Sequence, residues 1–228
     1  MNSKEIKRRY YEDERTAEEY IRKRYGGRSG RFVNEKELAP LAEFLPKGGK
    51  ILDAPCGVGR VSTWLFKKGY KEITGAEYSQ AMLDKASSVL GEKLVKTDLF
   101  DLPFEDNFFD GIVSLRFVFH YPGILPFLKE AKRVLAPGGV LIFDSYRWSP
   151  LKWNVKRLGG KVFVHADKKI ERCAKDLNME ILACRASFAF SPYVCAKLPY
   201  PALALLEWLE KIMPEKYRYV ATWILKKR

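Results

Sequence analysis

The most constraining stretch of this chain is Ile51-Leu52-Asp53-Ala54-Pro55-Cys56-Gly57-Val58-Gly59-Arg60, where a short apolar run ends on an acid and passes through a glycine turn into a helical pattern. A buried strand that ends on a carboxylate and continues into Gly-x-Gly lets backbone approach a ligand where a Cβ would collide, just ahead of a helix N-terminus. Such a turn suits nucleotide-like ligands, although Gly-x-Gly also serves as a plain strand-to-helix turn.

The alternation continues downstream. Apolar runs at residues 50–54, 72–77, 93–98, 108–115 and 140–144 are separated by helical patterns at 59–69, 79–90 and 124–135. Runs without polar alternation belong to strands covered on both faces, so they predict a parallel sheet wrapped by helices. Ala136-Pro137-Gly138-Gly139 marks a helix stop and a turn. Later patterns predict a helix over residues 166–177, a strand over 179–190, a helix over 203–213 and a last strand over 217–225. The expected fold is α/β: a doubly wound, mostly parallel, Rossmann-like seven-stranded sheet with an antiparallel edge strand. At 228 residues the chain suits one domain. It divides into an N-terminal helical lid (1–30) with a flexible Gly26–Gly30 joint, a cofactor-binding core (31–145), a basic substrate-side insertion (146–165) and a C-terminal part completing the sheet (166–228).

Glu77 ends the next strand 20 positions after Gly57, where a carboxylate can accept both hydroxyls of a ribose. A nicotinamide dinucleotide and S-adenosylmethionine both fit that pair. Charge favours the second: Asp53 beside the turn would repel a pyrophosphate and attract an ammonium or sulfonium. Ser62 also stands where G-x-G-x-x-G needs its last glycine.

With these residues in register, the chain resembles the class I S-adenosylmethionine-dependent methyltransferases, in particular the type 11 and small-molecule group, over about residues 45–145. The family's acidic-x-Gly-x-Gly-x-Gly motif maps onto Asp53, Gly57 and Gly59, with Pro55 in place of the first glycine. Its ribose-binding acid maps onto Glu77, and its adenine-binding acid onto Asp98 in Lys96-Thr97-Asp98-Leu99. Ser79, Met82, Leu83 and Ala86, Phe108-Phe109-Asp110 and Leu135-Ala136-Pro137-Gly138-Gly139 also follow its pattern. The resemblance implies S-adenosylmethionine as cofactor, bound by Asp53, Ala54, Pro55, Cys56, Gly57, Gly59, Glu77, Tyr78, Asp98, Leu99 and Ser114. Asp98 and Glu77 have plainer readings as a turn cap and a helix cap.

The acceptor is less legible. His120 lies in the segment after the fourth strand, with a titration range suited to taking a proton, and equally suited to orienting the loop. Arg116 is placed either to hold an anionic group or to form a structural ion pair. Tyr11 and Tyr20, with Tyr10 and Tyr25, suggest a lid that touches substrate. Trp148 opens an insertion, residues 147–157, that mixes bases with two tryptophans. The Asn/Asp-Pro-Pro-Tyr tetrad of enzymes that methylate adenine or glutamine amino groups is absent, as is a cysteine placed for cytosine chemistry.

Net charge is +13, with 17 basic and 7 acidic side chains in residues 145–228 against 15 and 15 in residues 31–144. Basic flanks suit an anionic partner and also mere solubility. A small acceptor, anionic or hydrophobic, is the first expectation, the apolar residues 188–206 favouring the latter. An RNA methyltransferase and a non-catalytic cofactor-binding protein are the alternatives. Four scattered cysteines and two histidines give no metal or disulfide framework. With no uninterrupted apolar span, a soluble cytoplasmic protein is expected, peripheral membrane contact remaining open.

Overall fold

The computed structural model describes residues 3–148 and 162–228. At its centre is a sheet of strands β1 (Ile51–Asp53), β2 (Ile73–Glu77), β3 (Leu94–Lys96), β4 (Phe109–Ser114), β5 (Leu135–Tyr146), β6 (Met179–Ser187) and β7 (Val220–Lys227), in the order β3-β2-β1-β4-β5-β7-β6. The first five are parallel, and β7 is antiparallel to both β5 and β6. The antiparallel pair at one edge agrees with the expected architecture. Its outermost member, β6, therefore runs with the parallel strands, and β7 is wedged inside it.

Period-two alternation builds two cores from the same strands. Leu52, Ile112, Leu141, Trp223 and Leu225 point to one face, packed on α6 (Leu125–Val134) and α7 (Asp167–Asp176). Ile51, Val113, Ile142 and Ile224 point to the other, packed on α3 (Gly27–Phe44), α4 (Arg60–Lys67) and α5 (Gln80–Leu90). Each such side chain removed from water contributes roughly 1.5–3 kcal/mol. Strands covered on both sides have no polar face to show, which is why their sequence reads as unbroken apolar runs.

Two local expectations need correction. Residues 26–30 are not a flexible joint, because α3 begins at Gly27 directly after α2 (Glu14–Tyr25). A Cβ on Gly30 would come within 2.4 Å of the Tyr25 carbonyl carbon, so glycine there permits close approach of two helices. Residues 136–139 form a bulge within β5: Phe109 pairs Leu135 while Gly111 pairs Val140. The N-terminal helical pattern also breaks at Asp13, whose side chain accepts from Thr16 N, dividing α1 (Ser3–Glu12) from α2. Residues 149–161, most of the basic insertion, lie outside the described residues.

Candidate active site

Strand order reverses between β1 and β4, and a cleft opens at their carboxyl ends. That is where doubly wound sheets bind ligands. The floor is Pro55, Cys56, Gly57 and Val58; α1 and α2 form a roof with Lys7, Arg8, Tyr11 and Tyr20. The roof is pinned down, since Ser79 Oγ donates to the Tyr11 carbonyl oxygen at 2.7 Å.

At one end stand the acids. Gly57 (φ +53°) and Gly59 (φ +80°) take left-handed backbone, and Gly59 caps α4. Glu77 accepts from Gly57 N at 3.1 Å, Tyr78 N at 2.8 Å and Ser79 N at 3.0 Å, holding the glycine turn against the end of β2. Burial nonetheless raises its carboxyl above the ordinary range. Asp53 lies behind the loop, fully buried. Its Oδ2 accepts from Ser62 N and Ser62 Oγ, and its Oδ1 has no partner. Burial pushes its carboxyl up to about 7. Asp98 faces the cleft and accepts from Arg8 Nη2 at 2.6 Å, while the Arg8 guanidinium covers the Tyr78 ring at 3.9 Å.

At the other end stand the bases. His120 sits in a short 3₁₀ turn, Val118–His120, with Nε2 3.3 Å from Tyr11 Oη and Nδ1 unpartnered. Burial, reinforced by the charges of Lys7, Arg24 and Arg116, holds its pKa well below the ordinary value, so the ring is neutral. Burial and the Arg24 charge lower the Lys7 ammonium to about 8. Arg116 has φ +64°, a strained conformation costing roughly 1–3 kcal/mol for a non-glycine residue. The surroundings fix it: its N donates to Asp144 Oδ1 at 2.6 Å, Nη1 to Tyr146 Oη at 2.6 Å and Nη2 to Glu37 Oε1. Glu37 also accepts from Tyr25 Oη and pairs Arg60 at 3.3 Å. Arg24 differs from these arginines. It packs over the Tyr20 ring, carries no ion pair among the described residues, and lines with Arg116 a side cavity of about 210 Å³.

Glu77, lining the cleft beside the glycine turn, disfavours a diphosphate there and suits an adenosyl sulfonium. Residues 52–143 match the Methyltransf_11 family model, a methyltransferase domain. This stretch is similar to a methyltransferase domain and spans less than half of the chain. Demethylmenaquinone methyltransferase of Staphylococcus aureus is 40% identical over 102 residues, which are 42% of this chain and 42% of that enzyme. The matched part is thus under half of that relative. Among solved structures, a methyltransferase from Thermotoga maritima (TM-score 0.71, 20% identity) covers 96% of this chain and 99% of its own. Magnesium protoporphyrin IX methyltransferase from Synechocystis PCC 6803, crystallised with S-adenosylhomocysteine, has TM-score 0.69 and 18% identity, with 100% of both chains covered. These likenesses establish the class I methyltransferase fold.

The cleft brings together most of the residues expected from sequence. Pro55, Cys56, Gly57, Glu77, Tyr78, Asp98, Leu99, Tyr11, Tyr20, Arg116 and His120 all line the cleft. Four do not. Ala54 and Ser114 are buried at strand ends and Gly59 turns into α4, away from the cleft. Trp148 donates from Nε1 to the Tyr217 carbonyl oxygen and packs on Tyr219. Asp53 also stays beneath the loop, acting through its field. Arg116 belongs to an ion-pair cluster, the plainer of its two readings. Lys7, Arg8, Arg24 and Glu37 were not foreseen. Lys7, Arg8 and Arg24 are ordinary basic residues of a charged helical pattern, and only the fold shows which of them turn inward.

Proposed function

We propose that the protein is an S-adenosylmethionine-dependent methyltransferase whose acceptor is a small molecule bearing an anionic group. The carrying observation is a single cleft lined by Glu77 and Asp98 together with Lys7 and a neutral His120. When bound, the cofactor supplies a methyl group on a sulfonium that is already activated for transfer. Glu77 would hold its ribose hydroxyls and Asp98 its adenine amino group, with Tyr78, Met82 and Leu99 as the walls around the base. Lys7 would attract the acceptor's anionic group, and Arg24, in the side cavity lined by Arg116, would add its charge from there. His120, neutral at physiological pH, would take a proton from the acceptor, with Tyr11 orienting the ring. The roof of α1 and α2 excludes water.

The relatives' acceptors, demethylmenaquinone and magnesium protoporphyrin IX, support a small-molecule reading. An RNA acceptor, the alternative, rests on the basic flanking segments. Cytoplasmic location accords with free thiols at Cys56, Cys173, Cys184 and Cys195. The test is incubation of the protein with methyl-labelled S-adenosylmethionine and cell extract, followed by mass spectrometry. Label in a low-mass anionic compound is expected. Label in RNA alone, or in nothing, overturns the reading.

A further inference from the structure

Helix α9 (Tyr200–Ile212) buries Leu203 and Glu210 yet leaves a further apolar stripe exposed. Glu210 faces inward, buried and 2.9 Å from Lys36 Nζ, while Leu205, Trp208, Leu209 and Ile212 face out, with Trp208 58% and Ile212 69% exposed. Spacing of i, i+3, i+4 and i+7 makes these four a continuous stripe. A helix normally buries such a stripe, and apolar patches of this kind on a soluble protein mark an interaction surface. The short helix α8 (Pro192–Cys195) also packs on α3 and exposes Tyr193 and Val194, so both helices present apolar groups beside each other.

Charge indicates what covers this face. Glu207 and Glu210 are both engaged by Lys36, and Glu215 lies 3.8 Å from Arg218. Lys197, Lys211 and Lys216 carry no ion pair among the described residues. The Lys197 ammonium sits over Tyr193 at 4.3 Å and that of Lys216 over Tyr217 at 4.9 Å. The apolar stripe is therefore rimmed by uncompensated cations anchored on exposed aromatics. A second copy of the chain would bring like charge against like, with +13 on each. No helix of the described residues is long and apolar enough to cross a membrane.

We propose that the α8–α9 face docks peripherally on an anionic lipid surface. Trp208 and Ile212 enter the boundary between headgroups and acyl chains, and Lys197, Lys211 and Lys216 lie over lipid phosphates. The docking is independent of the methyl-transfer reading. It is tested by co-sedimentation of the full chain with vesicles of phosphatidylcholine alone, and of phosphatidylcholine with phosphatidylglycerol in equal parts. Binding to the mixed vesicles only, released by salt, is expected. The exposed double variant Trp208→Ser/Ile212→Ser should lose at least about tenfold in affinity, as should Lys211→Glu/Lys216→Glu, with circular dichroism and S-adenosylhomocysteine binding unchanged. Absence of binding to either vesicle, or unimpaired binding by both variants, overturns the proposal. So does sedimentation equilibrium showing a dimer that Trp208→Ser/Ile212→Ser dissolves, since a second copy would then be the occupant.

Discussion

Arg8 on the roof helix and Asp98 beyond β3 form an ion pair of 2.6 Å across the mouth of the cleft. The pair closes over the carboxylate and the Tyr78 ring that adenine would use, so Arg8 and cofactor compete for the same partners. Both side chains are about 30% exposed, and such a pair is worth no more than about 1 kcal/mol. Arg8→Ala should therefore tighten S-adenosylhomocysteine binding by up to about fivefold. Calorimetry showing weaker binding in the variant would mean that Arg8 assists the ligand.

Arg24 is assigned to the acceptor and not to the cofactor. Its replacement by Met removes a charged hydrogen-bond donor worth roughly 1.5–3 kcal/mol. The acceptor KM should rise about 10- to 100-fold with cofactor affinity unchanged. Steady-state kinetics on the acceptor found by labelling decides this, and an unchanged KM rules out the assignment.

His120 is held neutral by burial and by the cations around it. A free histidine titrates near 6.5, whereas kcat here should show no inflection from this ring between about pH 6 and pH 8. His120→Ala should lower kcat by about 10²-fold or more if the ring takes the proton. A wild-type inflection near 6.5 that disappears in the variant would contradict the electrostatics described for this pocket.

Asp53 ties folding to pH. Its folded carboxyl titrates at about 7, against about 3.9 in an unfolded chain. Between those limits the folded state binds more protons, so stability is greatest at the acidic end and declines as pH rises toward 7. Asp144, lifted to about 6 by burial, acts in the same direction. Asp53→Asn keeps an oxygen for Ser62 and removes this dependence. Its urea midpoint should change less between about pH 5 and pH 8 than that of the parent, and equal slopes would contradict the assignment.

The central strands β1, β4 and β7 were legible because they are buried on two faces, leaving a run such as Ile112-Val113 with no polar alternative. Glu77 stands at the end of β2 and Asp98 two residues past β3, and both line the cleft. Glu37 was not legible. It sits among charged residues in a helical pattern, and its value lies in Tyr25, Arg60 and Arg116 arriving from three other segments. Gly30 misled for a related reason, since sequence cannot distinguish a glycine that bends from one that lets backbones touch. Trp148 was grouped with the acceptor by composition, yet its indole N–H satisfies a local carbonyl.

The bond from Ser79 Oγ to the Tyr11 carbonyl makes the covering helix part of the ligand-binding wall. The same hydroxyl accepts from Met82 N at the start of α5, so one side chain both caps that helix and fastens the roof above the glycine turn.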